Sequence, residues 1–472
     1  MADRGDGDDP SSAILYQSAD RSVTLIDIPK SIAAAQGRSG TLLSMQPLDS
    51  PIELEYEPIG KKDKVVNARH LDTIMLHSEY KTLIELALTE IGTHVPGPWC
   101  KPRKVMARVP KRAKSDMAID DPEQELHDRL REWAQVTRSK GDDYVFDFQK
   151  MMASLGAPDV PDATTDNNVA RKWQMSYSLA REITSDNHLN ASEYMKQPEM
   201  ERVEEPWMPS FHNPEKHALD LSIFENTAGS GQQVTPTYHF TIPPKVSFFL
   251  GDTSRSDIFR ASFRELTDEY KLPRHFDLVL IDPPWPNRSA KRSRGYEQTG
   301  GMPYIKKMLL NTDIDSYFEH NALVGVWITN KEALRMHILG PGGLFESWNV
   351  GLIEEWIWVK TTTKGQPMFD IDSVTRKPYE VLLLGRAAPN SWTTMAPAPI
   401  IKRKVIAAVP DVHSRKPCLK ALLEEYMPDK DDYSALEVFS RYLVSGWTSW
   451  GNEVLKYNND QYWKPVSDTQ ST

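Results

Sequence analysis

From Lys245 onward the chain is built of short apolar runs rich in β-branched residues: KVSFFLGD, FDLVLID, ALVGVWIT, LIEEWIWVKT, YEVLLLGR, KVIAAV and SALEVFSR. Each has the length of a strand, and several are separated by helix-like segments. A strand that is apolar on both faces must be covered on both faces, so the pattern predicts an α/β sandwich. We place it at 236–465, with a helical, loop-rich N-terminal region over 1–235 and a tail over 466–472. At about 150 residues per domain the length corresponds to about three domains. An apolar content of 39% with 26% charged residues fits a globular chain and excludes a wholly disordered one.

The N-terminal half is less regular. SVTLIDIP (Ser22–Pro29) predicts a strand ended by proline, and SIAAAQ (Ser31–Gln36) a short helix capped by Ser31. His70–Gly92 carries apolar residues at helical spacing and predicts a helix. Lys101–Lys114 holds seven Lys/Arg in fourteen residues. Its readings are a nuclear localisation signal, a phosphate-binding arm and a solvated basic loop. Amphipathic helical stretches are expected around Pro122–Ser139 and Asn168–Thr184, and 185–235 reads as polar and irregular. No apolar run approaches the ~20 residues that span a bilayer. The opening MADRGDGDDP is not a signal peptide. A soluble intracellular protein with no membrane partner is therefore expected. Two cysteines, Cys100 and Cys418, exclude a disulfide scaffold and a Cys-based zinc cluster.

FDLVLIDPPW (Phe276–Trp285) is the segment that carries chemistry. A hydrophobic strand delivers Asp282 at its carboxyl end, where α/β sheets bind their ligands. Pro283 and Pro284 then fix φ and stiffen the turn, and Trp285 follows. The arrangement suits methylation of an exocyclic amine, whose lone pair is delocalised into its base. Asp282 can accept one N–H of the amine and the Pro283 carbonyl the other, which pulls the nitrogen towards tetrahedral geometry. Trp285 offers a face for a flipped base. No metal is needed. The bland alternative is a strand ending in a type I turn, with the tryptophan buried.

These residues resemble the Asp-Pro-Pro-Trp class of adenine N6-methyltransferases, which includes the eukaryotic messenger-RNA adenosine methyltransferase subunits. VWITNK (Val326–Lys331), EEWIWVKTTTKG (Glu354–Gly365), RKPYEVLLLGR (Arg376–Arg386), HSRKP (His413–Pro417) and GWTSWGNEVLKY (Gly446–Tyr457) extend the resemblance over about 245–457. The opening Ile14–Pro29 shares it. The resemblance implies a Rossmann-like methyltransferase sandwich with S-adenosylmethionine as cofactor. No GxGxxG loop is present. The family's cofactor strand corresponds to Ser434–Arg441, whose glycine positions are Phe439, Ser440 and Arg441. Carried over position by position, Asp252 and Thr253 contact the adenine end, Lys377 the methionine carboxylate, and Arg441 the nucleoside. Asn452 and Glu453 take the ribose hydroxyls, and Asp282 also lines this site. Tyr442–Val444 depart from the family pattern and receive no contact.

After Trp285 the loop continues with Asn287, Arg288, Lys291, Arg292, Arg294 and Tyr296, a basic and aromatic platform for phosphate and base. It stands out in a chain of net charge −10. A solvated loop is its bland reading. Asn287 suits either a bond to the target nucleotide or an Asx turn, and His413 either substrate contact or packing. The resemblance implies an RNA substrate, a 2′-O-methyladenosine of a small nuclear RNA, and an enzyme active as a monomer in the nucleus, with the cytoplasm as a second location. DNA adenine methylation stays open, as does a catalytically silent RNA-binding subunit.

Overall fold

The computed structural model describes residues 12–53, 68–106, 122–136, 172–180, 202–226, 236–286, 301–373, 376–413 and 415–464. Eight strands precede Lys245: β1 (Ile14–Gln17), β2 (Val23–Ile26), β3 (Thr41–Leu42), β4 (Trp173–Leu179), β5 (Val203–Pro206), β6 (Ser210–His212), β7 (Leu219–Glu225) and β8 (Thr237–Ile242). Nine follow: β9 (Ser247–Leu250), β10 (Phe276–Ile281), β11 (Phe318–Thr329), β12 (Val350–Lys360), β13 (Tyr379–Ala387), β14 (Lys402–Ala408), β15 (Ala435–Val438), β16 (Thr448–Gly451) and β17 (Trp463–Lys464). The helices used below are α1 (Ile28–Gln36), α2 (Ala68–His94), α3 (Pro122–Trp133), α4 (Ser256–Tyr270) and α5 (Met302–Asn311).

The apolar runs assemble into one eleven-stranded sheet in the order β1-β2-β14-β12-β13-β11-β10-β15-β16-β9-β6. Only β1, β13 and β6 run against the others, so the sheet is mostly parallel. As the continuous apolar runs require, both faces are buried. Leu278, Leu280, Trp327, Trp356 and Leu382 point into one core with α1. Val279, Ile281, Val326, Ile357 and Val381 point into the other, under α2, α4 and α5.

Strands from both sides of position 235 share this sheet. β2 pairs with β14 at one end, and β6 with β9 at the other. The division expected there therefore runs through a sheet rather than between two bodies. The N-terminal region is also less helical than its sequence suggests. The Asn168–Thr184 stretch, expected as a helix, forms strand β4 over Trp173–Leu179, and 185–235, expected to be irregular, supplies β5, β6 and β7. β4, β5, β7 and β8 make a separate four-stranded antiparallel sheet. What decides against the helix is partnering: β4 bonds β5 on one side and β7 on the other. Its buried Trp173 packs edge-on against Trp133 of α3, a contact the strand's own sequence does not contain. Tertiary pairing of this kind overrides local propensity.

α1 begins earlier than expected. Asp27, not Ser31, is its cap, accepting the Lys30 N–H at 3.0 Å, and Pro29 sits in the first turn where a missing N–H costs nothing. The second oxygen of Asp27 accepts the Lys101 N–H at 2.9 Å. Arg103 donates to the Val409 and Pro410 carbonyls at 2.7 and 2.6 Å. The start of the basic Lys101–Lys114 segment is thus pinned to the body, and the rest of it lies outside the described residues. The expected helix over His70–Gly92 forms as α2, and the helix at Pro122–Ser139 forms as α3 over its first part. No described helix is long and apolar enough to cross a membrane.

Candidate active site

All candidate residues that the structure describes gather at one edge of the sheet, where the parallel strands end and β13 begins. β10 delivers Asp282 between β11 and β15, and the Asp282 N–H donates to the Val438 carbonyl at 3.3 Å. The two prolines turn the chain sharply, with the Trp285 N–H donating to the Pro283 carbonyl at 2.7 Å. This turn sends the Trp285 indole back onto the sheet. The ring is 5% exposed, belongs to the core, and donates its Nε1–H to the Trp327 carbonyl at 2.7 Å. The face expected for base stacking is therefore covered, and the indole behaves as a buried tryptophan with a satisfied polar handle.

Asp282 faces a cation that sequence reasoning left unassigned. Lys416 Nζ donates to both carboxylate oxygens of Asp282 at 2.8 Å and lies 3.3 Å from Glu380, which in turn binds Lys360 at 2.6 Å. Burial alone would lower the Lys416 pKa, but Asp282 and Glu380 outweigh it and raise it. Burial likewise opposes ionisation of Glu380, and the two lysines overcome it, lowering its pKa to about 2. The four groups form an alternating chain of charge running from β10 across to β12. Lys416 stands in HSRKP, a string that marked the resemblance. Its role had no signal beyond the general rule that a half-buried carboxylate at a strand end needs a counter-charge.

Leu280, Asp282, Trp327, Lys416, Glu437 and Tyr442 line a cleft at this edge. Glu437 was also overlooked, although an acid inside the apolar run SALEVFSR is an anomaly the sequence displays. Its carboxyl is pushed up to about 8, chiefly by burial and further by Asp282. Two residues on, Phe439 adopts φ 65°, the left-handed conformation that glycine takes freely.

The residues expected around the cofactor fall on neighbouring strand ends. Asp252 and Thr253 follow β9, and exposed Asp252 closes a turn by accepting the Ser254 N–H at 2.9 Å, whereas Thr253 is buried. Asn452 and Glu453 follow β16. Glu453, 4% exposed, binds Arg441 at 3.1 Å and Lys456 at 3.3 Å and lies 3.6 Å from His127 of α3. Beside it, the Asn452 side-chain amide can both donate and accept. The donor set fits a nucleoside with vicinal hydroxyls. Lys377 is the exception. Its Nζ turns to α2 and meets His77 Nε2 at 3.0 Å. His413 lies exposed on the loop leading to Lys416. Asn287, Arg288, Lys291, Arg292, Arg294 and Tyr296 lie outside the described residues.

Residues 276–453 match the MT-A70 family model. The chain is 39% identical over 221 residues to the N6-methyladenosine RNA methyltransferase MTA1 of Cryphonectria parasitica, covering 47% of this chain and 61% of that protein. It is 33% identical over 297 residues to the human N(6)-adenine-specific methyltransferase METTL4, covering 61% and 58%. It is 30% identical over 233 residues to a DNA N6-methyl methyltransferase of Caenorhabditis elegans, covering 49% and 55%. The human relative represents methyltransferase-like protein four, the branch whose motifs the sequence resembles. In each case the similarity spans a little over half of the relative's length.

Proposed function

Because residues 276–453 form an MT-A70 domain, we propose that the chain transfers a methyl group from S-adenosylmethionine to the N6 amine of adenosine in RNA, the target being a 2′-O-methyladenosine of a small nuclear RNA. The observation that carries this reading is Asp282, presented at the carboxyl end of β10 in a cleft bordered by Lys416, Arg441 and Glu437. The bound cofactor supplies an electrophilic methyl sulfonium. The protein's part is to hold the amine. Each Asp282 oxygen keeps acceptor capacity beside its Lys416 bond, and the Pro283 carbonyl keeps a lone pair beside its Trp285 bond. Together they accept both N–H groups and aim the nitrogen lone pair out of the base plane, while Lys416 holds the carboxylate in place. Such positioned polar groups contribute on the order of 10² to 10⁴ in rate.

Asn452 and Glu453 would hold the ribose. Arg288, Lys291, Arg292 and Arg294 would hold phosphates next to the target nucleotide, with Asn287 and Tyr296 at the base. Nuclear residence and activity as a monomer belong to the same proposal.

DNA adenine methylation is the second reading, favoured by the relative named a DNA N6-methyl methyltransferase. Both nucleic acids present the same amine, so the discrimination rests on contacts at the ribose 2′ position. The test is methyl transfer to matched RNA and DNA oligonucleotides, with and without 2′-O-methylation of the target adenosine. The expected result is fastest transfer to the 2′-O-methylated RNA. Equal or faster transfer to DNA would overturn the RNA assignment, and intact cofactor binding with no transfer to any oligonucleotide would make the chain a silent subunit.

A further inference from the structure

Glu437 stands on β15 with its α-carbon opposite Leu280 of β10, so its side chain shares a face with Leu280 and Asp282 and enters the same cleft. Among the described residues its one side-chain partner at hydrogen-bond distance is Ser440, with Oγ 3.2 Å from Oε2. Ser440 Oγ also lies 2.5 Å from the Tyr442 carbonyl. A hydroxyl has a single hydrogen, and a carbonyl can only accept. The shorter contact uses that hydrogen, so the longer one forms a hydrogen bond only if Glu437 is the donor. A donating carboxyl is a protonated one. The charges facing it divide, Lys416 and Arg441 favouring ionisation and Asp282 opposing it, and burial outweighs them. Asp282 from β10 opposes its ionisation. Lys416, from the 411–419 loop, is already committed to Asp282 and Glu380, and Arg441, after β15, is bonded to Glu453. Cys418 and Tyr442, the remaining titratable groups against it, are themselves held neutral by burial. Burial pushes the Glu437 carboxyl up to about 8.

We propose that Glu437 is a charge-matching group: it is a carboxylic acid in its own surroundings and gives its proton to solvent when a positively charged ligand enters the cleft, so that the site prefers the sulfonium cofactor to its neutral thioether product. This rests on the cofactor reading above. S-adenosylmethionine carries one more positive charge than S-adenosylhomocysteine, and an ionised Glu437 interacts favourably with that charge at close range. The proton is the linked species: the O–H bond of the carboxyl breaks, the electron pair stays on the carboxylate, and the proton passes to buffer. Affinity for the cation then falls as pH drops below about 8, by up to about tenfold per pH unit, and levels off above it. Affinity for the thioether follows no such slope.

The test is calorimetric titration of the full chain with S-adenosylmethionine and with S-adenosylhomocysteine, each in two buffers of different ionisation enthalpy at pH 7, repeated from pH 6 to 8. We expect buffer-dependent heats that report proton release for the sulfonium alone, and a ratio of the two affinities that rises with pH. Glu437→Gln, which mimics the protonated shape, should lose the buffer dependence and the pH slope. Buffer-independent heats for S-adenosylmethionine in the unmodified chain would overturn the inference, with no variant required. So would proton release that persists in Glu437→Gln. If the chain binds neither ligand, the cofactor reading itself falls, and this inference with it.

Discussion

Asp282 and Trp285 are three residues apart, yet the fold puts them to opposite uses. Asp282 sits in the cleft with both oxygens on Lys416. Replacing it with alanine should abolish methyl transfer, a loss on the order of 10² to 10⁴ in rate, while cofactor binding persists. Retention of more than a tenth of the original turnover would contradict the role given to this carboxylate. Trp285 is core, and its indole caps the Trp327 carbonyl. Trp285→Ala should therefore cost about 3–5 kcal/mol of stability through the cavity it leaves, with a further contribution from the abandoned carbonyl. Denaturant unfolding measures this. Unchanged stability with weakened oligonucleotide binding would restore the stacking role.

Among elements, α3 and the turn after β16 are coupled. Glu123 of α3 reaches Lys456 at 3.2 Å, and His127 lies 3.6 Å from Glu453. A helix from the N-terminal half thus backs the carboxylate proposed to hold the ribose. Burial lowers the His127 pKa despite that carboxylate, so at neutral pH the contact is with a neutral ring rather than a full ion pair. Glu453 is also an anion for Arg441 and Lys456, and its removal would take a counter-charge from both in a poorly solvated site. Asn452→Ala is the cleaner probe. It should raise the dissociation constant for S-adenosylmethionine without shifting the melting temperature, whereas Glu453→Ala should change both. Calorimetry giving an unaltered affinity for Asn452→Ala would remove Asn452 from the cofactor site.

For the whole molecule the decisive fact is that one sheet draws strands from both ends of the chain. A fragment beginning at 236 would lose β2 from the edge of β14 and β6 from the edge of β9. It would also lose α1 and α2 from the two faces of the sheet. Bare edges and uncovered apolar faces favour aggregation over folding. The fragment 236–465 should therefore be insoluble or lack a cooperative thermal transition, while the full chain has one. A soluble, cooperatively melting fragment that binds S-adenosylmethionine would show that the N-terminal strands are dispensable.

The sequence by itself determined the class of the fold and the central motif. Seven apolar runs without polar alternation can be satisfied only by a sheet covered on both faces, and a strand ending in Asp282-Pro283-Pro284 fixes its own exit through φ. These are local constraints, carried by neighbouring residues. Partnerships between distant residues were decided by the tertiary structure. Trp173–Leu179 became a strand because β5 and β7 flank it, against a helical pattern of its own. Lys416 became the cation opposite Asp282 because the loop after β14 returns over β10, bringing together groups 134 positions apart. Glu437 is legible as an oddity in an apolar strand. Its proton, though, depends on Ser440 already serving the Tyr442 carbonyl and on Lys416 already serving Asp282. Charge state in a cleft is set by what surrounds a group in space, and the order of residues along the chain does not carry that information.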